Sequence, residues 1–307
     1  MTEPPQPTIE ALNASKWFGD KVAVSELSFA LGPGVTTLLG PNGAGKTTTL
    51  RLLTGMLRPS QGTVRVLGQP VFANPPLYRR IGLVPEQETI YPYLTAREFV
   101  ELSARLQRLP DPRAAAQEAL QTVHLPDVQD RRLGTFSKGM RQRVKIAQAL
   151  VHHPDVLFLD EPLTGTDPQQ RLELMDVFRR LGADGRTVLI SSHILNEAEH
   201  VGSNIVVIVD GKLAAQGDFH AIRALMNDRP RRVRIECSDV RGVAAGLIGL
   251  PSVRGLQIDN GAVVVQTTDP LTLGNLVPRV ARERGARLYA LEGLDEDLES
   301  VFRYLVS

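Results

Sequence analysis

Short apolar segments alternate with helical patterns from Ile9 to about Gly217. The apolar segments are rich in β-branched residues and are bounded by glycine or polar residues, which is typical of buried strands. Strands that alternate with helices predict an α/β fold built on a largely parallel sheet. Asp210-Gly211 predicts a hairpin turn to the segment Lys212–Ala215. The candidate strands are Val35–Leu39, Ile81–Val84, Val156–Leu159, Thr187–Ser191 and Ile205–Val209.

Between Thr95 and Leu150 the strand pattern disappears and helical patterns replace it. Asp111 followed by Pro112 predicts a helix start, because aspartate is a good N-cap and proline fits the first helical position. The alanine-rich segment Ala114–Val123 then predicts a strong helix. This all-helical insertion lies between two strands, so we expect a helical subdomain, at about residues 95–150, packed on the side of the sheet.

The sequence pattern changes again beyond Asp228, where residues 229–232 (R-P-R-R) are typical of a solvated linker rather than a nucleic-acid surface. The remainder predicts a small accessory α+β domain at residues 229–307, with a ferredoxin-like βαββαβ order and no catalytic constellation. We expect residues 9–228 to form the main domain and residues 1–8 to be a disordered tail. The predicted elements are strand Val233–Cys237, helix Val240–Ile248, two strands around Asp259-Asn260-Gly261, helix Leu273–Arg284, strand Arg287–Leu291 and helix Asp295–Leu305.

Composition and charge favour a globular protein of the cell interior. The 307 residues are 42% hydrophobic and 22% charged, enough to build a full core. The formal net charge of +1 gives no support for a nucleic-acid partner. Cys237 is the single cysteine, which fits a reducing compartment. The N-terminus lacks signal-peptide features and no run approaches the roughly 18 apolar residues of a membrane helix, so any membrane work is expected to need a partner.

Residues Gly40–Thr47 read G-P-N-G-A-G-K-T, a complete match to the phosphate-binding loop, or P-loop. The loop follows a predicted strand and precedes the helical run Thr48–Leu53, so the N-terminus of a helix would face the phosphates. We expect a nucleoside triphosphate here, with Lys46 at its β- and γ-phosphates and the Thr47 hydroxyl on Mg²⁺. The residues predicted to bind it are Gly40, Pro41, Asn42, Gly43, Ala44, Gly45, Lys46, Thr47 and Thr48.

Two adjacent acids, Asp160 and Glu161, end the apolar strand Val156–Leu159. Successive residues at a strand end point in different directions. Asp160 can therefore reach Mg²⁺, while Glu161 faces the attacking water as general base. His193 follows the next apolar strand, so it should lie on the same sheet edge, within reach of a γ-phosphate. A lone histidine after a strand is more often a surface residue, and only its spacing from the acids favours the functional reading.

Residues 135–143 read T-F-S-K-G-M-R-Q-R, just upstream of the acidic strand. Ser137 can cap a helix that continues through Leu150, and Gly139 allows close approach, so this helix offers a second anion site. The P-loop already holds the phosphates of its own subunit. The segment resembles the L-S-G-G-Q signature of ATP-binding cassette (ABC) transporter ATPases. With the P-loop and the acids it identifies residues 9–217 as similar to that family's ATPase core.

The resemblance implies roles for further residues. Phe18 matches the aromatic residue that stacks on adenine, with Trp17 as an alternative and a plain core role open for both. His193 matches the family's switch histidine, and Asp167 lies in a T-G-T-D sequence that resembles the loop crossing the dimer interface. Ser137 and Gly139 would bind the γ-phosphate of ATP held by the other subunit. The implied partner is a second cassette, in a head-to-tail dimer that we expect to be a homodimer.

Three departures from the family pattern matter. Glu86, with Gln87 one residue later, stands where the family has the glutamine of its Q-loop. A carboxylate can still offer an oxygen to Mg²⁺, but it adds negative charge near the phosphates. Lys138 and Met140 change the signature, and Lys138 either faces the opposing γ-phosphate or points to solvent. The change to Thr166 in the interface loop is milder.

The S-K-G-M-R-Q-R segment, Pro85-Glu86 and residues 298–302 are similar to those of ABC-2-type exporter ATPases. This resemblance implies an ATPase subunit on the inner face of the cell membrane, where two copies enclose two ATP–Mg²⁺. A separate transmembrane permease would dock near Glu86–Arg105. The alternatives are a soluble ABC ATPase acting on ribosomes or DNA, and a regulatory cassette that binds without hydrolysis, which Glu86 keeps open.

Overall fold

The computed structural model describes residues 6–87, 90–202, 204–218, 230–259 and 261–294. The chain divides into two compact units between residues 219 and 220. The strands of the first unit are β1 (Ile9–Phe18), β2 (Lys21–Leu31), β3 (Gly34–Leu39), β4 (Gln61–Val66), β5 (Gln69–Pro70), β6 (Ile81–Val84), β7 (Val156–Asp160), β8 (Thr187–Ser192), β9 (Asn204–Val209) and β10 (Lys212–Asp218). Its helices are α1 (Lys46–Leu53), α2 (Pro75–Tyr78), α3 (Ala96–Leu106), α4 (Pro112–Thr122), α5 (Lys138–Leu150), α6 (Pro168–Ala183) and α7 (Leu195–Val201).

The sheet that the apolar segments predicted has the strand order β10-β9-β3-β8-β7-β6. Its inner strands are parallel, and β10 returns antiparallel through the predicted turn at Asp210. Both faces are covered, which explains why the strands are apolar throughout. Phe158 packs in the cluster that contains residues of α1, whereas Leu157 and Leu159 pack in the cluster that contains residues of α5 and α6. The α/β fold-class prediction is confirmed, and the carboxyl ends of β3, β7 and β8 meet at one edge.

A second, antiparallel sheet of order β2-β1-β4-β5 was not predicted from the sequence. Register shifts between Ala11 and Trp17 interrupt the pairing of β1 with β2, so these strands lack a regular alternation of polar and apolar residues. Thr8 was assigned to the disordered tail, and this is wrong. Its N–H donates to Leu31 O at 2.8 Å, and its hydroxyl lies 2.6 Å from Thr187 Oγ.

The predicted helical insertion contains α3, α4 and α5. Asp111 caps α4 by accepting a hydrogen bond from the Ala114 N–H at 3.0 Å, with Pro112 in the first turn, as the sequence predicted. Thr95 caps α3 in a capping box with Glu98. The three helices share one apolar cluster with one face of the parallel sheet, so the insertion packs beside it. Short 3₁₀ turns occupy Pro126–Val128 and Leu133–Thr135.

The second unit contains β11 (Arg231–Cys237), α8 (Val240–Leu247), β12 (Val253–Asp259), β13 (Ala262–Thr267), α9 (Pro270–Glu283) and β14 (Leu288–Gly293). Its sheet is antiparallel with the order β12-β13-β11-β14, the arrangement of a ferredoxin-like fold. Arg231 and Arg232 belong to β11, so the linker assignment is wrong for these two residues. The predicted helix Asp295–Leu305 lies outside the described residues. Over the described parts of the chain, no helix has the length and apolar character needed to span a membrane.

Candidate nucleotide-binding and hydrolysis site

The P-loop connects β3 to α1, as the strand–loop–helix pattern predicted. Gly45 is the N-cap of α1 with φ of +102°, a conformation that favours glycine, and a Cβ there would lie 2.7 Å from Ala23 O. At the start of the loop, a Cβ on Gly40 would overlap Ile208 O of β9. The Ala44 carbonyl accepts a hydrogen bond from the Gly211 N–H at 3.0 Å. The β9–β10 hairpin therefore packs against the P-loop and supports its backbone.

Lys46, the first residue of α1, is buried beneath the loop. Its Nζ donates to Gly40 O at 2.7 Å and lies 3.4 Å from Glu161 Oε1. The ammonium group thus occupies the centre of the loop and faces the acidic end of β7. A cation held in this place can meet the phosphates that the loop backbone would cradle.

A cavity of about 630 Å³ opens over the P-loop. Gly40 and Ala44 lie beneath it and support the loop rather than line the cavity. Sequence reasoning missed the lining residues from β2 and from the β9–β10 turn, because only the folded chain brings them to the loop. The missed lining residues are Lys21, Val22, Ala23, Asp210 and Gly211. The predicted residues that line it are Pro41, Asn42, Gly43, Gly45, Lys46, Thr47, Thr48, Glu86 and Glu161.

The acidic pair lies at the end of β7, beside the P-loop. The Asp160 carboxylate is buried, and its Oδ1 accepts a hydrogen bond from Ser191 Oγ at 2.6 Å. Glu161 leaves the strand with φ of +49°, and its N–H donates to the same Ser191 Oγ at 2.8 Å. The Glu161 side chain lines the cavity, whereas Asp160 is not among the described lining residues, so the two acids point in different directions.

His193 lies against Glu161, with Nδ1 2.9 Å from Glu161 Oε2. Glu161 therefore lies between two nitrogen groups, Lys46 and His193. Behind this histidine, Ser192 Oγ donates to the buried carboxylate of Glu197 at 2.6 Å. Burial is the main cause that raises the pKa of Glu197 above its ordinary value. Sequence reasoning did not find Ser191, Ser192 or Glu197.

Glu86 follows the end of β6 and lines the nucleotide cavity, where the resemblance placed it. Its loop is held by Lys145, a buried residue of α5 that the sequence did not single out. Lys145 Nζ donates to Pro85 O at 2.6 Å and to Gln87 O at 3.0 Å. The two carbonyl groups flank Glu86, so one ammonium group connects this loop to the helix that begins at Ser137.

No described residue of the signature segment lines the cavity over the P-loop, but Lys138, Arg141 and Gln142 line a smaller cavity that also includes Glu86 and Glu161. Ser137 is the N-cap of α5, as predicted, and its Oγ accepts from the Met140 N–H at 3.2 Å. Gly139 lies close to the Gln170 side chain of α6, whose Oε1 would overlap a Cβ on the glycine. Asp167 is the N-cap of α6. Among the described residues that line the cavity, none of these predicted positions is found.

The Lys138 side chain packs against Gly165 of the same chain. Its Cδ, Cε and Nζ atoms come within 2.6–2.7 Å of where a Cβ on Gly165 would be. Glycine with φ of +77° makes this approach possible. Lys138 also lines a smaller cavity, of about 140 Å³, together with Glu86 and Glu161. In this chain the lysine therefore packs on the T-G-T-D loop, a third arrangement beside the two expected from the sequence.

Phe18 lies at the end of β1 and is 51% exposed, with Lys16 Nζ 5.2 Å from its ring centre. It is not among the described lining residues, but it pairs with Lys21, which lines the cavity. Trp17 is 43% exposed, and its N–H donates to Ser60 Oγ at 3.3 Å. Phe18 therefore has an exposed ring at the border of the cavity, available for stacking.

The oxygen donors at this edge fit Mg²⁺. Within the described ranges, no group of three or more His, Cys, Asp or Glu side chains could hold a metal by itself. Mg²⁺ is commonly bound through one or two carboxylates together with the phosphates of the substrate. Asp160 and the hydroxyl of Thr47 can supply such ligands, with Glu86 as a further carboxylate.

A P-loop at a strand–helix turn, beside an acidic strand end, defines the class: a P-loop ATPase. The sequence profile of the ABC transporter family matches residues 24–164. The chain is 40% identical over 222 residues to Nod factor export ATP-binding protein I of Burkholderia lata, covering 71% of this chain and 73% of the relative. It is 35% identical over 277 residues to the daunorubicin/doxorubicin resistance ATP-binding protein DrrA of Streptomyces peucetius, covering 89% and 82%.

A solved structure of the ATP-binding cassette MJ0796, a dimer in a post-hydrolysis state bound to ADP and Pi, is 25% identical. It superposes with a TM-score of 0.64 over 69% of this chain and 98% of that one. The chain belongs to the ABC transporter family, as an ATP-binding subunit, and it is an ATPase.

Proposed function

We propose that this chain powers an ABC-2-type export complex through ATP-driven closure of two cassettes, with a separate membrane permease carrying the substrate. One observation carries the proposal. The P-loop, Glu86 and Glu161 line one cavity, whereas Ser137 and Gly139, at the start of α5, are not among the described residues that line it. An anion site that is separate from the cavity over its own P-loop is suited to the nucleotide of another subunit.

Within the site we assign roles from the contacts. Lys46 and the loop amides hold the phosphates, and the exposed ring of Phe18 stacks on adenine. Thr47 and Asp160 hold Mg²⁺, which when bound neutralises charge on the β- and γ-phosphates. These assignments are supported by the buried ammonium of Lys46 and by the hydrogen bond that holds Asp160.

Glu161 is the general base in this proposal. Its carboxylate is held by Lys46 on one oxygen and by His193 on the other, which keeps it directed into the cavity. A base positioned in this way can take the proton of the attacking water. His193, which touches Glu161, supports the γ-phosphate from the same edge.

The second cassette would contribute Ser137 and Gly139 across the interface, with Asp167 in the adjoining loop. Ser137 and Lys138 are exposed at the N-terminus of α5, while Gly139 is buried, and this supports the assignment because helix N-termini attract anions. The similar MJ0796 cassette is dimeric in its solved structure, and a symmetric pair of this chain would form two such sites.

The permease would dock near Glu86–Arg105, at the inner face of the cell membrane. Tyr91 and Tyr93 are 48% and 67% exposed, and Tyr91 packs on Tyr93 and on Phe99. An exposed aromatic cluster beside the loop that carries Glu86 could pass movement from a partner to the nucleotide site. The relatives named for Nod factor export and for drug resistance support an exporter.

Glu161→Gln tests the paired-site mechanism. We expect hydrolysis to fall by about 10²–10⁴-fold, because the general base is lost. ATP binding should persist, and gel filtration with ATP should show a trapped dimer. The variant that also carries Lys46→Ala should remain monomeric. A Glu161→Gln chain that stays monomeric with ATP would refute the mechanism.

Transport needs a separate test. We expect a membrane permease to be encoded next to this chain, and the chain to co-purify with membranes when that permease is co-expressed but not without it. Recovery only in the supernatant in both cases would favour a soluble ABC ATPase not coupled to transport.

A further inference from the structure

Ser191 has one hydroxyl group that touches both acids of the site. It lies in β8, wholly buried, and no role follows for it from the motifs in the sequence. Ser191 Oγ donates to Asp160 Oδ1 at 2.6 Å and accepts from the Glu161 N–H at 2.8 Å. These directions follow from the chemistry, because an amide N–H can only donate and a carboxylate can only accept.

The strand register explains why the hydroxyl is needed. Asp160 and Ser191 are the last paired residues of the parallel strands β7 and β8. At Glu161 the backbone turns to φ of +49°, a conformation that is unfavourable for a residue with a side chain. The hydroxyl binds the N–H of Glu161 at this turn, so it stabilises the direction in which the Glu161 side chain leaves the strand.

The same hydroxyl fixes the Asp160 carboxylate. Because Oδ1 is held by Ser191, rotation of the carboxylate is restricted and the direction of its second oxygen is set. A group that orients a metal-binding carboxylate commonly affects metal affinity or activity as a ligand does. The hydrogen bond is charge-assisted and buried, which makes it a strong constraint.

We propose that Ser191 is a positioning residue that aligns the Asp160 carboxylate and the backbone of Glu161 through a single hydroxyl. The proposal rests on the proposed function, in which Asp160 binds Mg²⁺ and Glu161 activates water. Ser191 does not touch the substrate in this proposal and acts only through the two acids. Its loss should therefore affect the Mg²⁺-dependent part of binding and the rate of hydrolysis together.

The test is Ser191→Ala in the full chain, with two readouts. The first is the affinity for the non-hydrolysable analogue AMP-PNP, measured by calorimetry with Mg²⁺ and with EDTA. We expect the gain in affinity from Mg²⁺ to be lost, while the affinity in EDTA stays unchanged. The second is kcat for ATP, which should fall by about 10–100-fold, the usual range for such supporting groups. Ser191→Thr, which keeps the hydroxyl, should restore both.

Thr187→Val is the matched control. Thr187 is also buried, begins the same strand, and has a hydroxyl in contact with Thr8 Oγ at 2.6 Å, at the opposite end from the acids. Thr187→Val should lower thermal stability without changing the gain in AMP-PNP affinity that Mg²⁺ provides. The proposal is overturned if Ser191→Ala keeps the wild-type kcat and the wild-type gain in AMP-PNP affinity from Mg²⁺. It is also overturned if Thr187→Val lowers these two quantities as much as Ser191→Ala does. A wild-type chain without Mg²⁺-dependent binding would instead contradict the proposed function itself.

Discussion

Two helices of this chain, α1 and α5, begin at sites suited to phosphate, and their surroundings differ. The start of α1 has a glycine N-cap, a buried lysine, and the acidic end of β7 beside it. The start of α5 is capped by the exposed hydroxyl of Ser137, and its first residue, Lys138, lines the smaller cavity that also contains Glu86 and Glu161. Both can attract an anion, but of the described residues of these two helices only those of α1 line the larger cavity over the P-loop. The neighbours of a helix N-terminus decide its chemistry, and the N-terminus itself supplies only the attraction.

The largest effect is expected for Lys46→Ala, which removes the cation of the α1 site. We expect the affinity for ATP to fall by about 10²-fold, because a hydrogen bond to a charged group contributes up to about 3 kcal/mol. Arg51→Ala, at an exposed position of the same helix, is the control and should bind normally. Unchanged ATP affinity in a titration of Lys46→Ala would remove Lys46 from the site.

Mixed dimers test whether the two helix N-termini serve one site in different subunits. Gly139→Asp should repel a phosphate at α5. The flexible end of the Gln170 side chain must move to admit the new Cβ, and an acidic residue in the first turn is compatible with the helix. Each variant alone, Lys46→Ala or Gly139→Asp, should be inactive. An equal mixture should recover about a quarter of the wild-type rate, because half of the symmetric pairs would contain one intact composite site.

If the mixture stays inactive although both variants are folded, the two regions act within one chain. Reconstituting separately tagged subunits and isolating the mixed dimer would then measure its ATPase rate directly.

A smaller effect is expected when the contact between α5 and the loop that carries Glu86 is broken. Lys145→Met keeps the length of the side chain but removes the ammonium that holds Pro85 O and Gln87 O. We expect a loss of stability of about 1.5–3 kcal/mol, the range for hydrogen bonds to charged groups. Hydrogen exchange near residues 85–87 should become faster, with ATP binding retained. Lys145→Arg should preserve much of the contact with Pro85 O and Gln87 O. Unchanged hydrogen exchange near residues 85–87 in Lys145→Met would contradict the proposed role of this contact.

The smallest effect is expected for Glu86→Gln, which removes one negative charge from the wall of the nucleotide cavity. Glu86 is exposed, so its repulsion of phosphate amounts to about 1 kcal/mol, or roughly fivefold in ATP affinity. The gain in affinity should shrink at high salt, because exposed charges are screened. ATP titrations at low and high ionic strength would measure it, and weaker binding by the variant would indicate that Glu86 is a ligand instead.

Several features of the site could be read from neighbouring residues alone. The P-loop, the acidic end of β7 and the caps of α4 and α5 depend on residues within a few positions of each other, and each was predicted. These features can be predicted from the sequence, because the spacing of glycines, the pattern of apolar residues in a strand and helix capping all depend on residues within one or two turns of each other. The same holds for the strands of the parallel sheet, whose apolar runs reflect cover on both faces.

Other features were decided only by the folded chain. Ser191 is 31 residues from Asp160, and Lys145 is 60 residues from Pro85. No local pattern marks either contact, because a buried serine or lysine becomes specific only through the partners that packing brings to it. The antiparallel sheet was missed for a related reason, since β1 pairs irregularly with β2 and also pairs with β4, a strand distant in sequence. The sequence by itself therefore determined the motifs whose groups we propose to bind and hydrolyse ATP, and the tertiary structure decided which distant groups hold them in place.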